Sequence, residues 1–148
     1  MKFSEMTYTR PDPAASKQRL SALTAELKAA KSYEEARKVF LSQQELMSHI
    51  STASTLASIR HSIDTRDKFY DGEEKFWNNF NPELEEYNQA WTAAMLESAF
   101  RAEFAGEFGD LMFVNAEIAL KTFSPAIIPE LQQENDLTQE YEKLLASA

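Results

Sequence analysis

The chain has 148 residues, 43% of them apolar and 26% charged, with a net charge of −9. This suits a single domain that buries roughly two-thirds of its unfolded surface, and it excludes a disordered chain. The acidic balance and the lack of any Lys/Arg cluster exclude nucleic acid and anionic membrane surfaces as partners. No apolar run is long enough to span a bilayer, and Met1 to Arg10 has no signal-peptide core. Without cysteine there is no disulfide framework, thiolate metal site or cysteine nucleophile. The cytoplasm is the expected compartment.

Residues 1–11 are expected to form an extended segment that fastens the N-terminus, because Phe3, Met6 and Tyr8 alternate with polar neighbours. From Ala14 to Asp71 there is neither proline nor glycine, and valine occurs only at Val39 and Val114. Helix formers dominate such a stretch. A first helix is predicted from Pro13 to about Lys31, with Asp12 as its cap. A second opens at the capping box of Ser32 and Glu35 and runs to about Ile63. Its Val39, Leu46, Ile50, Ala53 and Ala57 share one stripe, while Leu41, Leu56, Ile59 and Ile63 share another, which predicts neighbours on both sides.

A third helix is expected from about Thr65 to Phe80, frayed or bent at Asp71-Gly72, with Phe69, Phe76 and Phe80 aligned. Asn81-Pro82 is read as its end and as the start of a fourth, reaching Leu96. The aromatic series Tyr70, Trp77, Phe80, Tyr87 and Trp91 has the spacing of a core stripe. A short helix around Ala99 to Ala105, closed by Gly106 or Gly109, precedes one from Asp110 to Thr122 carrying Leu111, Val114, Ile118 and Ala119. Ser124-Pro125 starts a last helix with no stop signal before Ala148, which is read as a domain cut mid-structure. The fold class is all-α: an antiparallel bundle of about six to seven helices without significant sheet, in one domain over 1–148 truncated near its end.

The usual chemical motifs are missing. A zinc hydrolase helix carries two histidines four apart with a glutamate beside the first. Here His49 and His61 are twelve apart, so on one helix they lie about 120° and about 18 Å from each other. No Glu-x-x-His pair or Gly-x-Ser-x-Gly elbow occurs, and three glycines make no phosphate loop. Adjacent carboxylates such as Glu34-Glu35, Glu73-Glu74 and Glu85-Glu86 point about 100° apart on a helix and are read as solvated faces. No catalytic residue, metal ligand or cofactor is assigned within this chain.

One polar cluster stands out, spanning residues 60–67. His61 and Asp64 extend the covered stripe of the second helix, so they must either bond between helices or line a cleft. Their spacing of three permits a direct contact that would orient the imidazole. Arg60, His61, Asp64 and Arg66 are the candidate substrate-channel residues.

Two passages, LASIRHSIDTRDKFY from Leu56 to Tyr70 and ALKTFSPAIIPELQQENDLT from Ala119 to Thr138, resemble the oligoendopeptidase F family of zinc metallopeptidases, relatives of thimet oligopeptidase. The opening KFSEMTYTRP from Lys2 to Pro11 is similar to that family's N-terminus. The resemblance implies a mostly helical, clam-like enzyme whose N-terminal helices wall a channel admitting short peptides. Its His-Glu-x-x-His helix, zinc and catalytic groups belong to a C-terminal half that no position here matches. The expected partners are therefore the remainder of the same polypeptide and, in the full-length protein, short peptide substrates. The alternative is a complete small helical interaction module, for which self-association of the chain would be a function rather than a by-product.

Overall fold

A computed structural model describes residues 5–122 and 124–147. Lys2 and Phe3 of the N-terminal segment, and Ala148, lie outside them. Six α-helices follow in order: α1 Pro13–Ala29, α2 Tyr33–Ile63, α3 Lys68–Leu96, α4 Arg101–Phe108, α5 Leu111–Thr122 and α6 Ile128–Ser147, the last led in by a 3₁₀ turn at Pro125–Ile127. The all-α expectation holds, and no strand occurs among the described residues.

Local chemistry sets most of the boundaries. Asp12 accepts from the Ala15 amide at 2.7 Å, with Pro13 in the first helical position. Ser32 accepts from the Glu35 amide at 3.2 Å, while the Glu35 carboxylate takes the Lys31 amide at 2.9 Å. The box is therefore reciprocated one residue further out than the standard pattern. Gly109, at φ +91, turns the chain out of α4. Helix α3 starts at Lys68 rather than Thr65 because Asp67 caps it, accepting from the Phe69 and Tyr70 amides.

The core runs along α1, α2 and α3. At one end Leu23 and Leu27 meet Ala36, Phe40, Trp91 and Met95, joined by Phe104 and Phe113. At the other, Leu20 meets Ile50, Ala57, Trp77, Phe80 and Leu84. Early α1 thus meets late α2, and early α2 meets late α3, so consecutive helices are antiparallel. The aromatic stripe is core at Trp77, Phe80 and Trp91. Phe69, aligned with Phe76 and Phe80 in the sequence, is exposed.

Several expectations need correction. Asn81-Pro82 does not separate two helices: α3 runs through it, and Pro82 is buried within the helix. Proline removes the amide that would bond the carbonyl four residues back. Here Asn135 of α6 donates its side-chain amide to that Asn78 carbonyl at 3.1 Å, and Gln132 donates to the next, Asn79, at 2.9 Å. A neighbouring helix has taken over the missing bond. Gly72 lies in the first turns of α3 without ending it, in open space. The second stripe of α2 is covered only at Leu56, whereas Leu41, Ile59 and Ile63 are exposed. In α5 the Leu111, Val114 and Ile118 stripe faces outward, and Phe113 is the residue buried against the core.

The carbonyl replacement yields a testable coupling. Asn135→Ala is expected to cost about 1 kcal/mol in urea unfolding, a typical net hydrogen-bond contribution. In a Pro82→Ala background, where the helix restores its own bond, that cost should fall by half or more. Equal costs in the two backgrounds would show that Asn135 does not serve this carbonyl.

Candidate functional site

The end of α2, the turn 64–67 and the start of α3 gather the cluster singled out in the sequence. Arg60 is held beneath it: its guanidinium donates to the Tyr70 hydroxyl at 2.6 Å and to the Met6 carbonyl at 2.5 Å, and lies over the Tyr70 ring. His61 is fully buried. Asp64 ends α2 and accepts from the Arg66 backbone amide at 3.1 Å and from its guanidinium at 3.4 Å. Those bonds, the backbone one foremost, hold the Asp64 carboxyl below the ordinary carboxylate range. The Arg66 side chain is 91% exposed. Asp64 and Arg66 line an open hollow of 560 Å³ together with Lys143 and Ser147 of α6.

The contact suggested by the His61 and Asp64 spacing does not form, because Asp64 leaves the helix and turns to Arg66. The imidazole faces α3 instead, with Nε2 at 3.6 Å from Asp71. That is too long for a hydrogen bond, and neither ring nitrogen finds a partner among the described residues. Asp71 is engaged elsewhere: it pairs with Lys143 and accepts from Gln139 at 2.9 Å. Lys143 is the main cause of its lowered pKa. Beside them Glu74 accepts from Ser58 at 3.4 Å, and its other oxygen is buried without a bond. Burial raises its pKa.

Sequence reasoning missed Asp71, Glu74, Gln139 and Lys143, since contacts between different helices, from 10 to about 70 positions apart, leave no local signature. It also misassigned Glu73, read with Glu74 as a solvated pair. Glu73 is 4% exposed. It receives the Arg10 guanidinium through Nε at 2.8 Å and through a second nitrogen, and also the Tyr8 hydroxyl. Trp77 donates to the same hydroxyl at 3.1 Å. Arg10 chiefly holds the Glu73 carboxyl down, while burial and then Glu73 push Tyr8 up to about 12. The segment before α1 is thus tied to α3 by a charged knot under an aromatic surface.

The arrangement suits binding and positioning. For zinc, the donor set does not fit: among the described residues no three His, Cys, Asp or Glu side chains converge as a metal site requires. His49 is exposed on α2, and the Asp71 carboxylate near His61 is already neutralised by Lys143. No single helix among the described residues is long and apolar enough to cross a membrane.

Known proteins match this architecture closely. The family model described as the peptidase M3 N-terminal domain matches residues 3–123. A solved structure described as an oligoendopeptidase F is 38% identical, with a TM-score of 0.95, over 100% of this chain and 26% of its own. A PZ peptidase A solved with an inhibitor is 37% identical over 99% of this chain and 26% of its own, with a TM-score of 0.95. Another structure described as an oligoendopeptidase F, from Bacillus anthracis str. Ames, is 36% identical over 100% of this chain and 27% of its own, with a TM-score of 0.96. No curated protein matches the chain. The chain spans about a quarter of the length of these solved relatives. By family model, sequence identity and fold, it belongs to the oligoendopeptidase F group of the M3 peptidases and corresponds to their N-terminal domain.

Proposed function

We propose that this chain is the N-terminal domain of a zinc-dependent oligoendopeptidase that hydrolyses short peptides, and that it supplies channel wall and substrate gating rather than bond-breaking groups. The observation that carries this reading is the match to oligoendopeptidase F structures along the whole chain at 36% to 38% identity. Zinc in the full-length protein would be held by residues outside this chain and would supply the Lewis acid. A cytoplasmic location is part of the same reading.

Within the polar cluster the proposed peptide contacts are Asp64 and Arg66. Both are exposed and border the hollow shared with Lys143, and the Arg66 guanidinium suits a peptide carboxylate or carbonyl. Arg60 and His61 support them from beneath, because one is tied to Met6 and Tyr70 and the other is buried.

In the full-length polypeptide, Arg66→Ala is expected to lower kcat/KM for short peptides by about tenfold, a loss of about 1.4 kcal/mol of transition-state stabilisation. The melting temperature should change little, since the side chain is exposed. Unchanged kinetics would remove Arg66 from the channel. Stoichiometric zinc or peptidase activity in the 148-residue chain alone would overturn the reading that the chemistry lies outside it.

A further inference from the structure

Helix α6 is built the wrong way round for an element of the α1–α3 core. The only residue it buries is polar, Gln139. On the 100° wheel Gln132, Asn135, Gln139 and Lys143 share one side. Each bonds α3 there: Gln132 to the Asn79 carbonyl, Asn135 to the Asn78 carbonyl, Gln139 to Asp71 and Asn78, and Lys143 to Asp71. The opposite side carries Leu137, Tyr141, Leu144 and Leu145, which are 58%, 60%, 68% and 60% exposed. A side-chain stripe of that size left in water is the mark of a surface that something covers.

Three observations indicate what covers it. The match to the peptidase M3 N-terminal domain ends at residue 123, before Ile128 opens α6. About three quarters of each solved relative lies outside the part this chain matches, which supplies ample polypeptide close at hand. Finally, Glu130 and Glu134 border an open hollow of 520 Å³ with Leu137 and Tyr141. That pattern suits an apolar surface flanked by Lys or Arg.

We infer that α6 is the first element of the next structural unit of the full-length polypeptide, with its outward stripe packed against an apolar, basic-flanked face of that unit. The polar seam with α3 is then the boundary between the two units. This rests on the reading of the chain as the N-terminal part of a longer peptidase. A boundary made of amide and ion-pair contacts parts more readily than an apolar core, since water replaces each bond that is lost. The channel wall and the rest of the enzyme would therefore shift relative to each other along α3.

Amide hydrogen exchange on the full-length polypeptide and on the 148-residue chain tests this. Residues 137–147 are expected to exchange at least about tenfold more slowly in the full-length protein. Leu144→Glu should abolish that difference while leaving α1 to α3 unchanged, and Leu144→Met should retain it. Equal exchange in the two chains overturns the inference, and so does dimerisation of the short chain that Leu144→Glu abolishes with no effect on the full-length protein. Slow α6 exchange in a full-length protein without peptidase activity would refute the functional reading and leave the docking intact.

Discussion

Phe104→Ala is expected to destabilise the chain by about 3–5 kcal/mol, the range for removing a large aromatic from a closed core. Phe104 has no exposed surface. It packs edge-on against Tyr33 at 5.1 Å and lies against Phe40 at 5.3 Å and Phe108 at 6.3 Å between ring centroids. It is also the single buried residue of α4, an eight-residue helix too short to persist without tertiary contact. Losing the ring therefore frees a whole element as well as leaving a cavity. Thermal unfolding followed by circular dichroism should show a melting temperature lower by about 10 °C, with Phe104→Leu losing less than half as much. A drop below about 2 °C for the alanine variant would mean that α4 is not anchored through this ring.

The second large effect falls on the knot that holds the segment before α1. Glu73→Ala strands the Arg10 guanidinium and the Tyr8 hydroxyl together; Glu73 is buried but the Arg10 side chain is 46% exposed, so solvent screens part of the loss and the cost is about 1–3 kcal/mol. The segment should also come loose, so that limited proteolysis cuts between residues 5 and 12 in the variant before it cuts the helices. Resistance equal to that of the parent chain would show that the segment is held by something else. The pH dependence has a definite sign. Glu73 and Asp71 both have folded pKa values below their unfolded ones. Their contribution is fully present above the unfolded carboxylate range and is lost as the pH falls through the depressed folded values. Acid titration of stability should therefore be steeper in the parent than in Glu73→Gln. Glu74 has the opposite sign: its raised folded pKa means that its contribution is present below the unfolded value and lost as the pH rises through the folded one.

These predictions involve the residues that were hardest to read from sequence. Capping and periodicity made α1 and α2 legible nearly to the residue, because Asp12, Ser32 and the long run without proline or glycine act locally. The α3 boundary failed at Pro82 because the compensating bond comes from Asn135, more than fifty residues later, where no local rule looks. The outward stripe of α5 was legible as apolar but not as exposed, and that of α6 was not singled out: periodicity reports that a face is apolar, and the identity of its partner is a tertiary fact. In the polar cluster, spacing located His61 on the covered side of α2. The imidazole's neighbours, Asp71 and Glu74, come from α3 and could be assigned only once the helices were packed. Glu73 shows the same limit, since a buried carboxylate paired with Arg10 cannot be told from a solvated one by its neighbours in sequence.

The carbonyl left open by Pro82 also sets an order of events during synthesis. Asn78 emerges from the ribosome 57 residues ahead of the Asn135 that will bond its carbonyl. At roughly 5–20 residues per second that interval is about 3 to 11 s. For that time the nascent helix is interrupted at its midpoint, with water bonded to the Asn78 carbonyl, while α1, α2 and the first half of α3 are already available to pack. Helix α6 thus completes a helix that was made before it.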